Sequence, residues 1–243
     1  MNKTIPLTNH IRHYKFDGEF YDFFAPDKFV LQEIRRRYQE FLHLAKFNQS
    51  DLILEIGSGG GFSLEIFNTV RSLYFPLDIP LNNLKRIKAQ SYFSIYPTAS
   101  DGYTLPFKDE SFNYVIMAEV LEHLTTPEIV LKEVNRVLRK KGILLISVPY
   151  KEKITYQICI HCNKPTPTHS HLHSFDEIKL SQLIIKAKFK PIKFSKNCNK
   201  IQSRLCLNIL FRNLPFTIWK IIDNLFNFFI DKPTSLILIS QKP

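Results

Sequence analysis

Residues 52–67 read LILEIGSGGGFSLEIF, an apolar run of strand type that passes into a glycine-rich turn and then into a helical pattern. Glycine serves in such a turn because the backbone reverses sharply and a ligand comes closer than a Cβ would allow. A buried strand that hands such a turn to a helix is the switch point of a nucleotide-binding α/β sheet. The spacing narrows the ligand. A dinucleotide fingerprint begun at Gly57 needs glycine at position 62, where Phe62 stands, and a phosphate loop needs a Lys-Ser/Thr pair after the glycines, which does not follow. What remains is GxGxG, with Gly57, Gly59 and Gly61, preceded by Glu55.

Strand and helix signals alternate after this point, as parallel strands joined by crossovers require. Strands are expected at LILEI (52–56), SLYFPLDI (72–79), weakly near Ile95, at FNYVIMA (112–118), ILLISVP (143–149), PIKFS (191–195) and SLILIS (235–240), seven in all. Helices are expected at 60–69, 82–92, 128–140 and 175–189, the third ending in Arg139, Lys140 and Lys141 before Gly142, as a helix C-terminus should. Ahead of the sheet, Val30, Ile34, Tyr38, Phe41, Leu42 and Ala45 recur at helical spacing. The Tyr-, Phe- and His-rich segment before them reads as an irregular arm that packs on or near the site. The organisation is therefore an arm and helix (1–48) and one α/β domain (49–243), interrupted by a Cys/His-rich segment (150–174) and an apolar one (198–232). A chain of 243 residues suits one such domain.

The second strand ends in PLDIP, which puts Asp78 at its carboxyl end, where a carboxylate accepts from both hydroxyls of a ribose. Asp101, in SDGYTLPFKDESFNYVIMAEVLEHL, falls at the end of the third strand, within reach of an adenine amino group. Asp109 and Glu110 read as solvated loop residues.

Taken together, E-I-G-x-G-x-G, the later acidic residue, D-x-x-x-LPF-x-D-x-SF and EVLEH resemble the class I S-adenosylmethionine-dependent methyltransferases, in particular the type 11 methyltransferase domains, over about residues 50–150. The resemblance implies a Rossmann-like seven-stranded mixed sheet of order 3-2-1-4-5-7-6 with helices on both faces. It also implies an enzyme that uses S-adenosyl-L-methionine. Carried over by position, it sets Glu55 and the loop of Gly57, Ser58, Gly59 and Gly61 against the donor's amino-acid portion and Asp78 on the ribose. Asp101 and the backbone of Gly102 would read adenine, and the backbone of Ala118 and Glu119 would flank the sulfonium.

Methyl transfer from a sulfonium needs chiefly alignment, but an oxygen acceptor must also lose its proton, to a base or with the help of a metal. Two constellations are candidates. In the first, Glu119, Glu122 and His123 share one helical face and could converge on a divalent cation such as magnesium, with His171 as general base or further ligand. This ExxEH resembles the metal-binding motif of small-RNA 2′-O-methyltransferases and ubiquinone-pathway O-methyltransferases, although EVLEH also occurs in relatives where no metal is implied. In the second, Cys159 and Cys162 with His169 and His171 have the ligand types of a structural zinc site; unligated residues in a loop are the alternative. The expected function is methyl transfer to an oxygen of a small or lipid-linked molecule; an RNA (tRNA or small-RNA 2′-O) methyltransferase and a non-catalytic methyltransferase-like binding domain are the alternatives, and the intact donor motifs speak against the last.

The net charge of +11 permits an anionic partner such as RNA, but the basic residues are spread along the chain without a compact basic-aromatic patch, so nucleic acid is possible and not favoured. The first twenty residues lack the apolar core of a secretory signal and the cysteines do not form a disulfide framework, which points to the cytoplasm. In residues 207–230 the polar positions Asn213, Thr217, Lys220, Asn224 and Asn227 make one narrow helical stripe and the rest is apolar. The favoured expectation is burial as a cover or dimer interface; a peripheral membrane contact is the sharper alternative, and a span is not expected.

Overall fold

A computed structural model describes residues 10–64, 67, 72–91, 93–160 and 163–243. Its elements are α1 (His10–Phe20), α2 (Lys28–Leu44), β1 (Leu52–Ile56), β2 (Leu73–Asp78), α3 (Leu81–Gln90), β3 (Thr98–Ala99), β4 (Phe112–Ala118), a 3-10 turn (Leu121–His123), α4 (Pro127–Val137) and β5 (Leu138–Pro149). They continue with β6 (Tyr156–Ile158), β7 (Pro165–Pro167), α5 (Glu177–Lys186), β8 (Lys190–Asn199), α6 (Lys200–Arg204), α7 (Leu207–Leu210), α8 (Phe216–Phe229) and β9 (Pro233–Gln241). The helix expected over 60–69 lies largely outside the described residues.

The main sheet has seven strands in the order β3-β2-β1-β4-β5-β9-β8. With the separate β6-β7 hairpin set aside, this is the expected order 3-2-1-4-5-7-6. Strands β1 to β5 are parallel, and β9 runs antiparallel to both β5 and β8. Strand β1 sits between β2 and β4, and residues 53–56 are buried, as a strand covered on both faces must be. Alternate residues feed two cores. Leu54 and Ile56 pack with Val115, Met117, Leu144 and helices α4 and α5, while Ile53 packs with Ile116, Leu145 and helices α2 and α3. Helix α2 starts at an Asp27 cap whose carboxylate accepts from Phe29 N and Val30 N, and it buries Tyr38 and Phe41.

The local reading is corrected in four places. The arm is helical over His10–Phe20, and Gly18 lets α1 lie so close to Pro80 that a Cβ on residue 18 would come within 2.0 Å of Pro80 Cγ. The stretch after Pro149 contains the β6-β7 hairpin. The third strand shortens to Thr98–Ala99, with Ile95 reduced to an isolated bridge to Tyr74. Helix α4 ends at Val137, so Arg139, Lys140 and Lys141 begin β5; there Arg139 reaches the Asn113 side chain at 3.1 Å, and Lys141 N donates to Lys242 O at 3.0 Å. Cross-strand partners outbid the helix-terminal pattern.

Candidate functional site

The carboxyl ends of β1, β2 and β4 open on a cleft of about 220 Å³ roofed by α1. The chain leaves β1 at Gly57, and the amides of Gly57 and Ser58 both donate to Leu77 O, at 2.8 and 3.1 Å, which folds the glycine turn back over β2. Gly59 adopts φ +50°, and a Cβ there would meet no protein atom nearer than Phe23 Cδ1 at 4.0 Å. A side chain at this position would therefore point into free space at the cleft rather than into the core. Gly61 faces the other way, towards Ile87.

Asp78, at the end of β2, lines the cleft and accepts from Gly59 N through Oδ2 and from Ile79 N through Oδ1, both at 2.7 Å. Burial pushes its carboxyl up from the usual 3.8 to about 6, and the two amides work against that rise. Asp101 lines the far end of the cleft beside Ser100, with Oδ1 accepting from Tyr103 N at 2.9 Å. Gly57, Gly59, Asp78, Asp101 and Glu119 are thus brought together.

Glu55 is not among them. It is fully buried and turned away from the cleft, accepting from Ser63 Oγ at 2.5 Å and from the hydroxyls of Tyr38 and Tyr74. It ties α2, β2 and the glycine turn together, so its expected contact with the donor is replaced by a supporting role. Ser58, Gly61, Gly102 and Ala118 are likewise not among the described lining residues.

Beyond β4, Glu119 adopts φ +55°, with its amide held by Ser147 O at 3.0 Å and Ser147 Oγ at 3.2 Å. A non-glycine residue in this conformation is strained, and such strain collects at working sites. Its carboxylate turns to Arg37 of α2 at 3.4 Å and does not join Glu122, as the shared helical face had suggested. The helix expected for EVLEH is only a single 3-10 turn, which alters the facing.

Glu122, His123 and His171 do converge: one ligand atom from each lies within 4.8 Å of the others. Glu122 is fully buried, neither carboxylate oxygen has a hydrogen-bond partner, and burial raises its carboxyl well above the ordinary range. His123 is pushed down to about 4 by burial and by the neighbouring His171. The ring of His171 packs 4.7 Å from that of His123 and its Nδ1 bonds the Glu152 carboxylate. Leu172 N and His173 N donate to Glu122 O, which pins the returning segment here, while His173 Nε2 is taken up by Leu124 O at 2.7 Å.

Among the described residues, Cys159, His169 and His171 do not gather into a metal-binding group. The amide of Cys159 donates to Lys164 O and its carbonyl accepts from Asn163 N, which closes the β6-β7 hairpin. His171 is drawn instead to Glu152 and His123, with the His169 ring 5.8 Å away from it. Cys162 lies outside the described residues. Sequence reasoning missed Tyr14, Asp17, Phe23 and Asn83 in the cleft lining. The Tyr14 hydroxyl donates to His123 O at 3.1 Å, and the only signal for it was the aromatic character of the arm.

Residues 54–146 match the family model described as a methyltransferase domain. The chain is 33% identical over 94 residues to the demethylmenaquinone methyltransferase of Streptomyces griseus, covering 39% of this chain and 40% of that one. It is 26% identical over 159 residues to a probable S-adenosylmethionine-dependent methyltransferase of Mycobacterium tuberculosis, covering 65% and 56%. The chain spans about half the length of the curated relatives it matches. Among solved structures it is similar to the (4+2)-cyclase SpnF, with a TM-score of 0.63 and 13% identity over 86% of this chain and 80% of that one. At that identity the likeness is one of fold alone.

Proposed function

We infer that this chain, which belongs to the class I S-adenosylmethionine-dependent methyltransferases through residues 54–146, transfers the donor's methyl group to an oxygen of a small or lipid-linked acceptor. The donor half rests on the cleft. Asp78 faces it at the end of β2, a position suited to the two ribose hydroxyls. Asp101 suits the adenine amino group, and the strained backbone at Glu119 suits the sulfonium. Tyr14 and Asp17 of α1 roof this space and keep water from the reacting atoms.

The observation that carries the choice of oxygen is the buried, unpartnered carboxylate of Glu122 beside His123 and His171. A buried carboxyl whose two oxygens find no hydrogen-bond partner is costly unless something bound there compensates. One oxygen and two imidazole ligands fit a divalent cation, which when bound would lower the pKa of an acceptor hydroxyl. Without a cation, His171 offers an alternative in the form of a proton path, and the two roles exclude one another. With Nδ1 of His171 engaged by Glu152, Nε2 is the nitrogen left to take the hydroxyl proton, and the Glu152 carboxylate stabilises the imidazolium formed. The acceptor oxygen then bonds to the methyl carbon as the sulfur-carbon bond breaks, leaving the neutral thioether of the spent donor.

The acceptor in the Streptomyces relative's name, demethylmenaquinone, bears on a lipid-linked acceptor and not on the methylated atom. The described residues lining the cleft include no Lys or Arg, which weighs against a polyanionic RNA acceptor. The fold likeness to a cyclase transfers no reaction to this chain. The test is incubation with methyl-labelled donor and fractionated cell extract. Label should enter the small-molecule or solvent-extractable lipid fraction; label in RNA or protein alone would replace this acceptor class.

A further inference from the structure

We propose that α8 attaches this protein to the surface of an anionic phospholipid bilayer, lying in the plane of the interface. The basis is that α8 is anchored by Lys220, Asp223 and Asn227, which face inward, while Thr217 and Asn224 stay exposed beside its apolar side. Asp223 is 0% exposed and accepts from the amides of Cys198 and Asn199, at 3.1 and 3.0 Å, and from Gln202 Nε2 at 3.2 Å. Asn227 accepts from Asn199 Nδ2 at 2.9 Å, and Lys220 donates to Lys196 O at 2.8 Å and pairs with Glu40 at 3.4 Å. On the same side Trp219 is buried under the Arg36 guanidinium, 4.7 Å from the ring. Turning the helix over would strand all of these groups, so its orientation is fixed by satisfied buried polar contacts.

The opposite side is apolar and open. Ile218, Ile221, Leu225, Phe228 and Phe229 fall on an arc of about 100° at 100° per residue. Their exposures run from 49% at Ile218 to 81% at Phe228. Leu205 and Leu210, on the preceding turns, are also exposed. A soluble surface does not ordinarily collect large side chains in this way. No helix among the described residues is long and apolar enough to cross a membrane, which leaves a helix that lies on one.

Charge decides between a bilayer and a second copy of the chain. Residues 186–232 hold ten Lys or Arg against two Asp, a surplus of eight out of the chain's eleven; Lys193, Arg204, Arg212 and Lys232 are exposed, and Lys193 lines a groove with Phe228. A two-fold dimer through this face would bring two such basic rims together. An anionic headgroup layer instead meets them with opposite charge, each cation adding to the attraction within a Debye length.

Sedimentation of the full chain with vesicles tests this, using phosphatidylcholine alone and phosphatidylcholine mixed with phosphatidylglycerol. Wild type should partition to the mixed vesicles and be released by salt. Phe228→Ser/Phe229→Ser, at positions too exposed to hold the fold, should bind at least about tenfold more weakly while keeping an unchanged melting temperature. Failure to sediment with the anionic vesicles, or equal binding by the double variant, would overturn the proposal. A wild-type dimer in ultracentrifugation that the double variant converts to monomer, with no vesicle binding, would assign the face to a second copy instead.

Discussion

The Oδ2 atom of Asp78 accepts a hydrogen bond from the Gly59 amide at 2.7 Å, so the acid at the end of β2 and the turn after β1 form a single unit. Its burial raises the folded-state pKa from 3.8 to about 6, so folding favours the protonated form. The stabilising contribution of this group is complete below about 3.8 and is lost as pH rises through about 6. Donor binding should run the other way, because the ionised carboxylate is the better acceptor for two ribose hydroxyls. Calorimetric affinity for S-adenosylmethionine is expected to fall as pH drops from 7.5 to 5, roughly tenfold per unit below the pKa. A flat affinity over that range would remove Asp78 from the ribose.

Helix α1 should be a structural part of the donor site and not merely a neighbour. Gly18→Val places a branched side chain where even a Cβ would lie 2.0 Å from Pro80 Cγ, so α1 must lift from the start of α3. We expect a loss in donor affinity of about tenfold, equal to about 1.4 kcal/mol, with β-sheet circular dichroism unchanged. Amide exchange in residues 10–20 should quicken in parallel.

The metal question separates by mutation. If Glu122, His123 and His171 hold the cation, activity lost on chelation should return with added magnesium or manganese in wild type. It should not return in Glu122→Ala or His171→Ala. Cys159→Ser/Cys162→Ser should leave that activation intact. Bound zinc by elemental analysis that disappears in the cysteine variant, with activity indifferent to chelation, would restore the cysteine site.

The Asp223 network predicts a stability effect remote from the cleft. Asp223→Ala leaves the buried amides of Cys198 and Asn199 without their acceptor, each worth about 1–3 kcal/mol when unsatisfied. The melting temperature should therefore drop by several degrees, while donor affinity in the folded protein stays the same. A melting temperature equal to wild type would show that α8 is not anchored through this carboxylate.

What was legible in the sequence was local. The strand running into Gly57–Gly61 and the acid closing PLDIP are short-range patterns, and both reach the cleft as expected. The strand order followed from resemblance, because periodicity does not state which strands are neighbours. Contacts between distant residues were not legible. Glu55 looks like a site acid from its place before the glycines, yet Tyr38 and Tyr74 turn it inward. Helix α1 depends on the fit of Gly18 against Pro80, and Glu119 is drawn from Glu122 by Arg37 on another helix. The polar stripe on α8 was legible, but not which of its residues are buried, since Thr217 and Asn224 stay exposed while Lys220 and Asn227 are drawn in. The partners that bury Asp223 and Lys220, the backbone of Cys198 and Asn199 and the side chain of Glu40, lie outside the helix and leave no local signal.

Donor binding is the premise on which the chemistry rests, and Gly59 tests it where the glycine turn meets the cleft. Gly59→Val keeps a side chain clear of protein atoms but fills the space before Asp78, at a backbone strain of about 1–2 kcal/mol. Titration of S-adenosylmethionine into wild type should give one saturable site. The same titration into the folded Gly59→Val variant should give no measurable heat. Equal affinity in the two proteins, or no binding by wild type, would contradict the assignment of this cleft to the methyl donor.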